Sequence, residues 1–282
     1  MRLMRLGDPG AERPVVRVDE GHYVDVSDQV SDFDESFFGS GGLALLPDLV
    51  ARLEPIPFNA ERVGAPIHRP HQILCIGLNY SDHAAETGQA LPTEPILFTK
   101  SPNTLVGPND DVRLPRGHSK VDWEVELGIV IGRRTSYLET PAEAAGAIAG
   151  YTVVNDVSER AFQLERGGQW SKGKSAETFN PCGPWLATPD DVPDVAALGL
   201  WLDVNGVRRQ TGNTATMVFD PFTIVHYVSQ FLVLEPGDLI NTGTPPGVGM
   251  GLIPPVWLQP GDVMELGIDG LGRQRQVVVA PR

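Results

Sequence analysis

The ten residues Asp122-Trp123-Glu124-Val125-Glu126-Leu127-Gly128-Ile129-Val130-Ile131 constrain this chain more than any other stretch. Apolar residues alternate and β-branched residues cluster, which predicts a strand. Side chains two apart on a strand share a face, so Glu124 and Glu126 point the same way, with stems about 6–7 Å apart. Trp123, Val125 and Leu127 take the opposite face. The continuation Ile129-Val130-Ile131 places the strand in the interior of a sheet. Two ionised carboxylates side by side in such a place repel, unless a cation lies between them or one holds a proton. Taken alone, the pair reads more simply as the watered face of an edge strand. A third acid weakens that reading. Thr152-Val153-Val154-Asn155-Asp156-Val157 is another short β-type run, and it too carries a carboxylate near its end. Glu, Glu and Asp without a nearby His or Cys form a hard oxygen set, suited to Mg²⁺, Mn²⁺ or Ca²⁺ rather than zinc.

At 282 residues the chain has room for one large domain or two smaller ones. Its 31 glycines and 25 prolines are dispersed, which points to many turns between short strands. A net charge of −14 argues against a nucleic-acid partner or an anionic membrane surface. An acidic substrate then needs a local positive centre, which a bound divalent metal supplies. Cys75 and Cys182 form no CxxC, so a reducing compartment is expected. The first residues lack the apolar core of a signal peptide, and no apolar run approaches the ~20 residues of a membrane span. The expected location is the cytoplasm.

Residues 1–53 read as a small N-terminal α/β unit. Strands are expected near Arg2–Leu6, Val15–Val18 and His22–Val26, followed by a helix at Leu43–Leu53. The acids Asp19, Glu20, Asp25, Asp28, Asp32, Asp34 and Glu35 show no convergence and read as a solvated surface. Prolines at 55, 57, 66 and 70 describe an extended linker over 54–70. The second unit, 71–282, opens with the buried-strand run Ile73–Leu78. A short helix between Ser81 and Gly88 puts His83 and Glu86 at i and i+3, within reach of each other. A carboxylate beside an imidazole raises its basicity and poises it to take a proton from water. An ordinary exposed helix pair is the plainer alternative.

Helices are further expected at Pro141–Ala149, Ser158–Glu165 and Phe222–Phe231, the second setting Arg160 and Gln163 one turn apart. Leu198–Val204 and Val207–Gln210 flank Asn205-Gly206 and predict a hairpin. Gly168 to Ser175 satisfies the G-x-x-x-x-G-K-[ST] phosphate-loop pattern. The strand that must precede such a loop and the helix that must follow it are missing, so Lys174 or Lys172 reaching a carboxylate or enolate is the better reading. The Gly-rich loop Asn241–Gly249 offers backbone N–H groups and a hydroxyl to an anion.

In this order, the pieces resemble the fumarylacetoacetate hydrolase family. The matching motifs are Gly77-Leu78-Asn79-Tyr80-Ser81-Asp82-His83 with Glu86, Asp122–Leu127, Asn155-Asp156-Val157-Ser158-Glu159-Arg160, Lys174-Ser175 with Thr178-Phe179 and Gly183-Pro184, and Thr242–Gly249. The resemblance implies a β-rich α+β fold: a mixed β-roll catalytic domain, usually dimeric, beside the small N-terminal domain. It implies Mg²⁺ or a similar ion held by Glu124, Glu126 and Asp156. It assigns the His–Glu pair to His83 and Glu86, and substrate contacts to Gln163, Lys174 and Thr244, with Arg160 beside them. Lys174 and the Gly243-Thr244 loop then hold an oxyanion or carboxylate. The implied reaction is hydrolytic C–C cleavage of an acylpyruvate or 2,4-diketo acid through a metal-stabilised enolate. Isomerisation or hydration of 2-hydroxydienoates from aromatic catabolism, and decarboxylation of oxaloacetate, use the same platform and stay open. A non-catalytic Ca²⁺ protein is the rival from another class.

Overall fold

The computed structural model describes residues 1–82, 91–192 and 194–282. Its backbone is β-rich, organised as a ten-stranded mixed sheet and a five-stranded sheet that share a core. The expected central strand is Val125–Ile131, fully buried along its length. It pairs antiparallel with Ile148–Asn155 on one side and Leu239–Asn241 on the other. Trp123, Val125, Leu127, Ile129 and Ile131 face the core shared with Leu200, Leu202, Met264 and Leu266 of the second sheet. Val130 packs in the other core, beneath Phe33, Phe37 and Leu46. Paired along both edges and with both glutamates buried, the strand is not an edge strand, and the edge-strand reading of Glu124 and Glu126 is lost.

The N-terminal strands Arg2–Leu6, Arg13–Arg17 and His22–Asp25 form as expected. They continue the ten-stranded sheet, because Arg2–Leu6 pairs with Leu186–Ala187. The proline-rich stretch after residue 53 is extended but anchored: Ile56–Pro57 pairs with His22–Asp25, and Val63 bridges Leu6. The helix expected over 43–53 is shorter, a 3₁₀ turn Gly42–Leu45 running into Leu46–Val50, with Pro47 at its first turn. Pro141–Ala147 is 3₁₀ rather than α, and the next strand already begins at Ile148. Arg160–Leu164 is helical from one residue after Glu159, whose carboxylate caps it by accepting from the Phe162 N–H. The hairpin holds, with Gly199–Val204 and Val207–Asn213 joined through Asn205 (φ 53°) and Gly206 (φ 74°). Among the described residues no helix is long and apolar enough to cross a membrane.

Among the acids read as solvated surface, Asp32 and Asp25 are paired with arginines. Asp32 accepts from Arg5, which is 5% exposed, at 2.6 and 2.8 Å. Asp25 accepts from Arg13 at 2.7 Å. The same arginines and Arg62 bind Glu12, Glu61 and Asp110, tying the first strands to the rest of the chain. The Arg13 hydrogen bond holds Glu61 below its ordinary 4.5. Burial pushes Glu12 upward, but the Arg62 hydrogen bond and the Arg5 charge outweigh it, and Glu12 is also held below 4.5. A carboxylate depressed in the folded state contributes stability that is present above its unfolded pKa and lost as pH falls through the folded value. Acidification below about pH 4.5 is therefore expected to loosen residues 2–25 before the central strand. Hydrogen exchange read peptide by peptide measures this, and simultaneous loss of protection in both regions contradicts it.

Candidate active site

Antiparallel register brings the three acids together. Val125 faces Asn155 and Glu126 faces Val154, so Glu124 stands opposite Asp156, and the Asp156 N–H donates to the Glu124 carbonyl at 2.8 Å. All three carboxylates then project from one face. They are buried, and ligand oxygens from all three lie within 4.8 Å of one another.

The surrounding charges are unevenly distributed. Lys174 donates to Glu124 at 2.7 Å and to Asp156 at 2.9 Å. Arg160 places Nη2 2.6 Å from Glu124 and donates through Nε to Asp122 at 2.8 Å. Lys100 donates to Asp156, to the Val157 carbonyl at 3.1 Å and to the Phe179 carbonyl at 2.7 Å. Glu126 has only the Gly243 N–H, at 2.8 Å, and no cationic side chain within 4 Å among the described residues. Burial, then the charges of Asp156 and Glu124, push the Glu126 carboxyl well above its usual range. Burial also raises Glu124, but Lys174 and Arg160 outweigh it and hold Glu124 low. Burial lowers Lys174, yet Asp156 and Glu124 keep its ammonium charged above the ordinary lysine range. Pinned in this way, the Lys174 ammonium donates to two carboxylates at once.

Four acids (Asp122, Glu124, Glu126, Asp156) thus interlock with three bases (Lys100, Arg160, Lys174). The cluster is short of positive charge beside Glu126, where the donors are all oxygens. A small hard divalent cation fits that deficit and that donor set.

The loop Thr242–Thr244 is clamped beneath the acids. Thr244 donates its hydroxyl to the Val125 carbonyl at 2.9 Å and accepts from Gln210 at 2.8 Å, while Gln210 accepts from the Val125 N–H at 2.9 Å. Gly243 has φ +97°, and a Cβ there would lie 2.8 Å from the Asn79 side chain. Only glycine allows that turn and that approach together, and both are needed to aim its N–H at Glu126. Gly243 and Thr244 reach the cleft, but their polar groups hold the acids and the strand in place. Gln163 accepts from Arg160 at 3.2 Å and steadies it.

A cleft with a volume of about 90 Å³ opens over the acids and is lined by Glu124, Glu126, Arg160, Gln163, Lys174, Gly243 and Thr244 on its polar side. Every site residue expected from sequence that the structure describes is in this cluster: Asp156 joins through Lys174 and the acid pair. His83 and Glu86 lie outside the described residues. The phosphate-loop pattern folds otherwise, with a four-residue helix, Ser171–Lys174, whose lysine turns onto carboxylates. Lys100 and the anchoring role of Asp122 were not foreseen. Lys100 closes the strand Ile96–Lys100 as a lone charge after apolar residues, a weak signal with nothing to connect it to Asp156. Asp122 also accepts the N–H groups of Gly249 at 2.6 Å and Met250 at 3.1 Å, so it orients Arg160 from behind.

The family model for the fumarylacetoacetate (FAA) hydrolase C-terminal domain matches residues 72–279. A protein of Burkholderia multivorans whose name goes no further than hydrolase is 49% identical over 283 residues, covering 100% of both chains. The 2-hydroxyhepta-2,4-diene-1,7-dioate isomerase of Mycobacterium marinum superposes with a TM-score of 0.78 at 33% identity, over 99% of this chain and 98% of that one. The maleylpyruvate hydrolase of Sphingobium sp. SYK-6, solved with manganese(II) and pyruvate, gives a TM-score of 0.82 at 28% identity over 100% of both chains.

Proposed function

Because the chain belongs to the fumarylacetoacetate hydrolase family, we propose that it is a divalent-metal-dependent enzyme that cleaves a carbon–carbon bond in an acylpyruvate or other 2,4-diketo acid. The observation that carries this reading is the buried Glu124–Glu126–Asp156 oxygen cluster, which opens on a cleft and has no base against Glu126 among the described residues. Those three residues are the proposed ligands, with Mg²⁺ or Mn²⁺ as the ion. Bound there, the ion supplies Lewis-acid stabilisation of negative charge on the oxygens of a 2-oxo acid.

The chain's own residues account for the rest. Lys174, charged and at the cleft wall, donates a hydrogen bond to a substrate oxygen. Asp122 holds Arg160 at the edge of the acids through Nε, and Gln163 accepts from its Nη1. His83, with Glu86 beside it, is the proposed acceptor of a proton from water, a role that rests on the sequence. The water oxygen bonds to the distal acyl carbon, the bond from that carbon to C3 breaks, and C3 takes a proton. One carboxylic acid and one pyruvate result, with a single water consumed. The pyruvate present in the Sphingobium structure supports a 2-oxo acid as the group recognised.

Incubation with acylpyruvates and Mg²⁺ should release pyruvate and the matching acid in equal amounts, and a chelator should stop the release. Absence of metal dependence, or survival of full activity in a His83→Ala variant, overturns the reading. The isomerase from Mycobacterium marinum favours a second reaction on the same cleft, double-bond migration in a 2-hydroxydienoate. Product mass separates the two, since isomerisation adds no water and yields one molecule.

A further inference from the structure

The wall of the cleft facing the charged cluster is apolar, formed by Ile76, Leu78, Phe98, Leu164, Trp170 and Met250. Phe98 and Trp170 meet edge-on, ring centroids 5.1 Å apart and 64° between planes. Gly77 seats that pair: a Cβ at this position would lie 2.7 Å from the Trp170 ring. The Lys174 ammonium is 5.1 Å from the centroid of Phe98, so this ring borders both halves of the cleft.

Positive charge is confined to the polar half. Among the described residues, Arg160 and Lys174 are the cations that line the cleft, and both are committed to Asp122, Glu124 or Asp156. Arg166 and Lys172 stand on the neighbouring segment but outside the lining. The Arg166 guanidinium lies 4.3 Å from the centroid of Phe162, and the Lys172 ammonium donates to the Arg166 carbonyl. The sequence between Arg69 and Lys100, which supplies Ile76, Gly77, Leu78 and Phe98, holds neither Lys nor Arg. A carboxylate buried without a cation or a set of donors is strongly disfavoured, whereas an aryl or alkyl group gains by leaving water.

We infer that the substrate group beyond the diketo head is uncharged and apolar, seated on Phe98 and Trp170, and that a terminal second carboxylate is rejected. The inference rests on the 2-oxo acid reading of the cleft and names the class of acyl group within it. Trp170 is then the specificity-determining residue, and Gly77 is the position that admits it.

Hexanoylpyruvate and its analogue with a terminal carboxylate share one head and differ only at the far end of the chain. With the Mg²⁺-loaded enzyme, the neutral compound is expected to show at least about tenfold higher kcat/KM. Trp170→Ala should lower kcat/KM for benzoylpyruvate by about tenfold or more, mainly through KM, while acetylpyruvate, with only a methyl group beyond the diketo head, changes by less than about threefold. Gly77→Ala, which displaces the indole, should weaken benzoylpyruvate in the same direction. Equal or better turnover of the terminal carboxylate, or a Trp170→Ala variant that loses both substrates alike, overturns the inference and leaves acylpyruvate cleavage standing. If no acylpyruvate is cleaved, the functional reading fails instead. Calorimetric binding of benzoylpyruvate and the dicarboxylate to the Mg²⁺-loaded protein then decides the inference by the same ranking.

Discussion

A Glu126→Gln variant is expected to lose Mg²⁺ binding and at least about 10³-fold in kcat/KM, the equivalent of roughly 4 kcal/mol of transition-state stabilisation. The reason is specific to this position. Glu124 and Asp156 are already balanced by Lys174, Arg160 and Lys100, whereas Glu126 is the acid left facing two others with no base of its own. The amide keeps the shape of the side chain and an oxygen for the Gly243 N–H, but removes the charge that a cation balances. The metal-free protein should be no less stable than the parent, since a carboxyl that burial and two facing acids push toward its neutral form gives way to a neutral amide. Metal titration followed by thermal melting reads both effects. The parent melts higher as Mg²⁺ is added, because a ligand that binds only the folded state stabilises it, and the variant does not. A variant that still shifts with Mg²⁺ by the parental amount removes Glu126 from the ligand set.

Lys100→Met tests the opposite side of the cluster and should act on folding. Lys100 is 2% exposed, and its ammonium uses its three donors on Asp156 and on the carbonyls of Val157 and Phe179. Methionine matches its length but leaves two carbonyls unpaired and one carboxylate oxygen without its counter-charge. Breaking a buried ion pair from one side costs about 3–5 kcal/mol. Lys174 still touches Asp156 here, so the lower end is expected, about 3 kcal/mol. For a chain of this size that is a fall in Tm of roughly 5 °C. Adding Asp156→Asn to Lys100→Met should recover part of the loss, because the second change removes the stranded charge. Additive losses in the double variant mean that the two residues are not coupled.

Both predictions come from one arithmetic fact about this cluster, four acids against three bases. A hydrophobic core with that imbalance is costly unless something arrives to complete it. Asp122 shows how the chain manages the cost. Its carboxylate is saturated by Arg160 and by the N–H groups of Trp123, Gly249 and Met250, so it needs no further partner. Glu126 has a single backbone donor and no base against it among the described residues, which is why it is the proposed ligand most dependent on an ion.

Much of this was legible in the amino-acid sequence. Alternation fixed the central strand, the face shared by Glu124 and Glu126, and the burial of Trp123, Val125 and Leu127, because the side-chain period of a strand is two. Asn205-Gly206 announced its hairpin, since few other pairs accept a left-handed backbone at both positions. Helix lengths were read less well. The stretches at 43–53 and 141–149 have helical composition, but Pro47 and the demand of the strand from Ile148 cut them to short 3₁₀ and α turns. Local sequence does not record what a neighbouring strand requires.

What only the tertiary structure decided is how the charges pair. Asp156 meets Glu124 through strand register, Lys100 meets Asp156 across 56 residues, and Arg5 finds Asp32 in a stretch that reads as solvated surface. Sequence supplies the list of acids and bases, because residue type is local information. Which acid is left without a base is a property of the packed interior, where distance and burial set the strength of each charge, and no spacing along the chain encodes it.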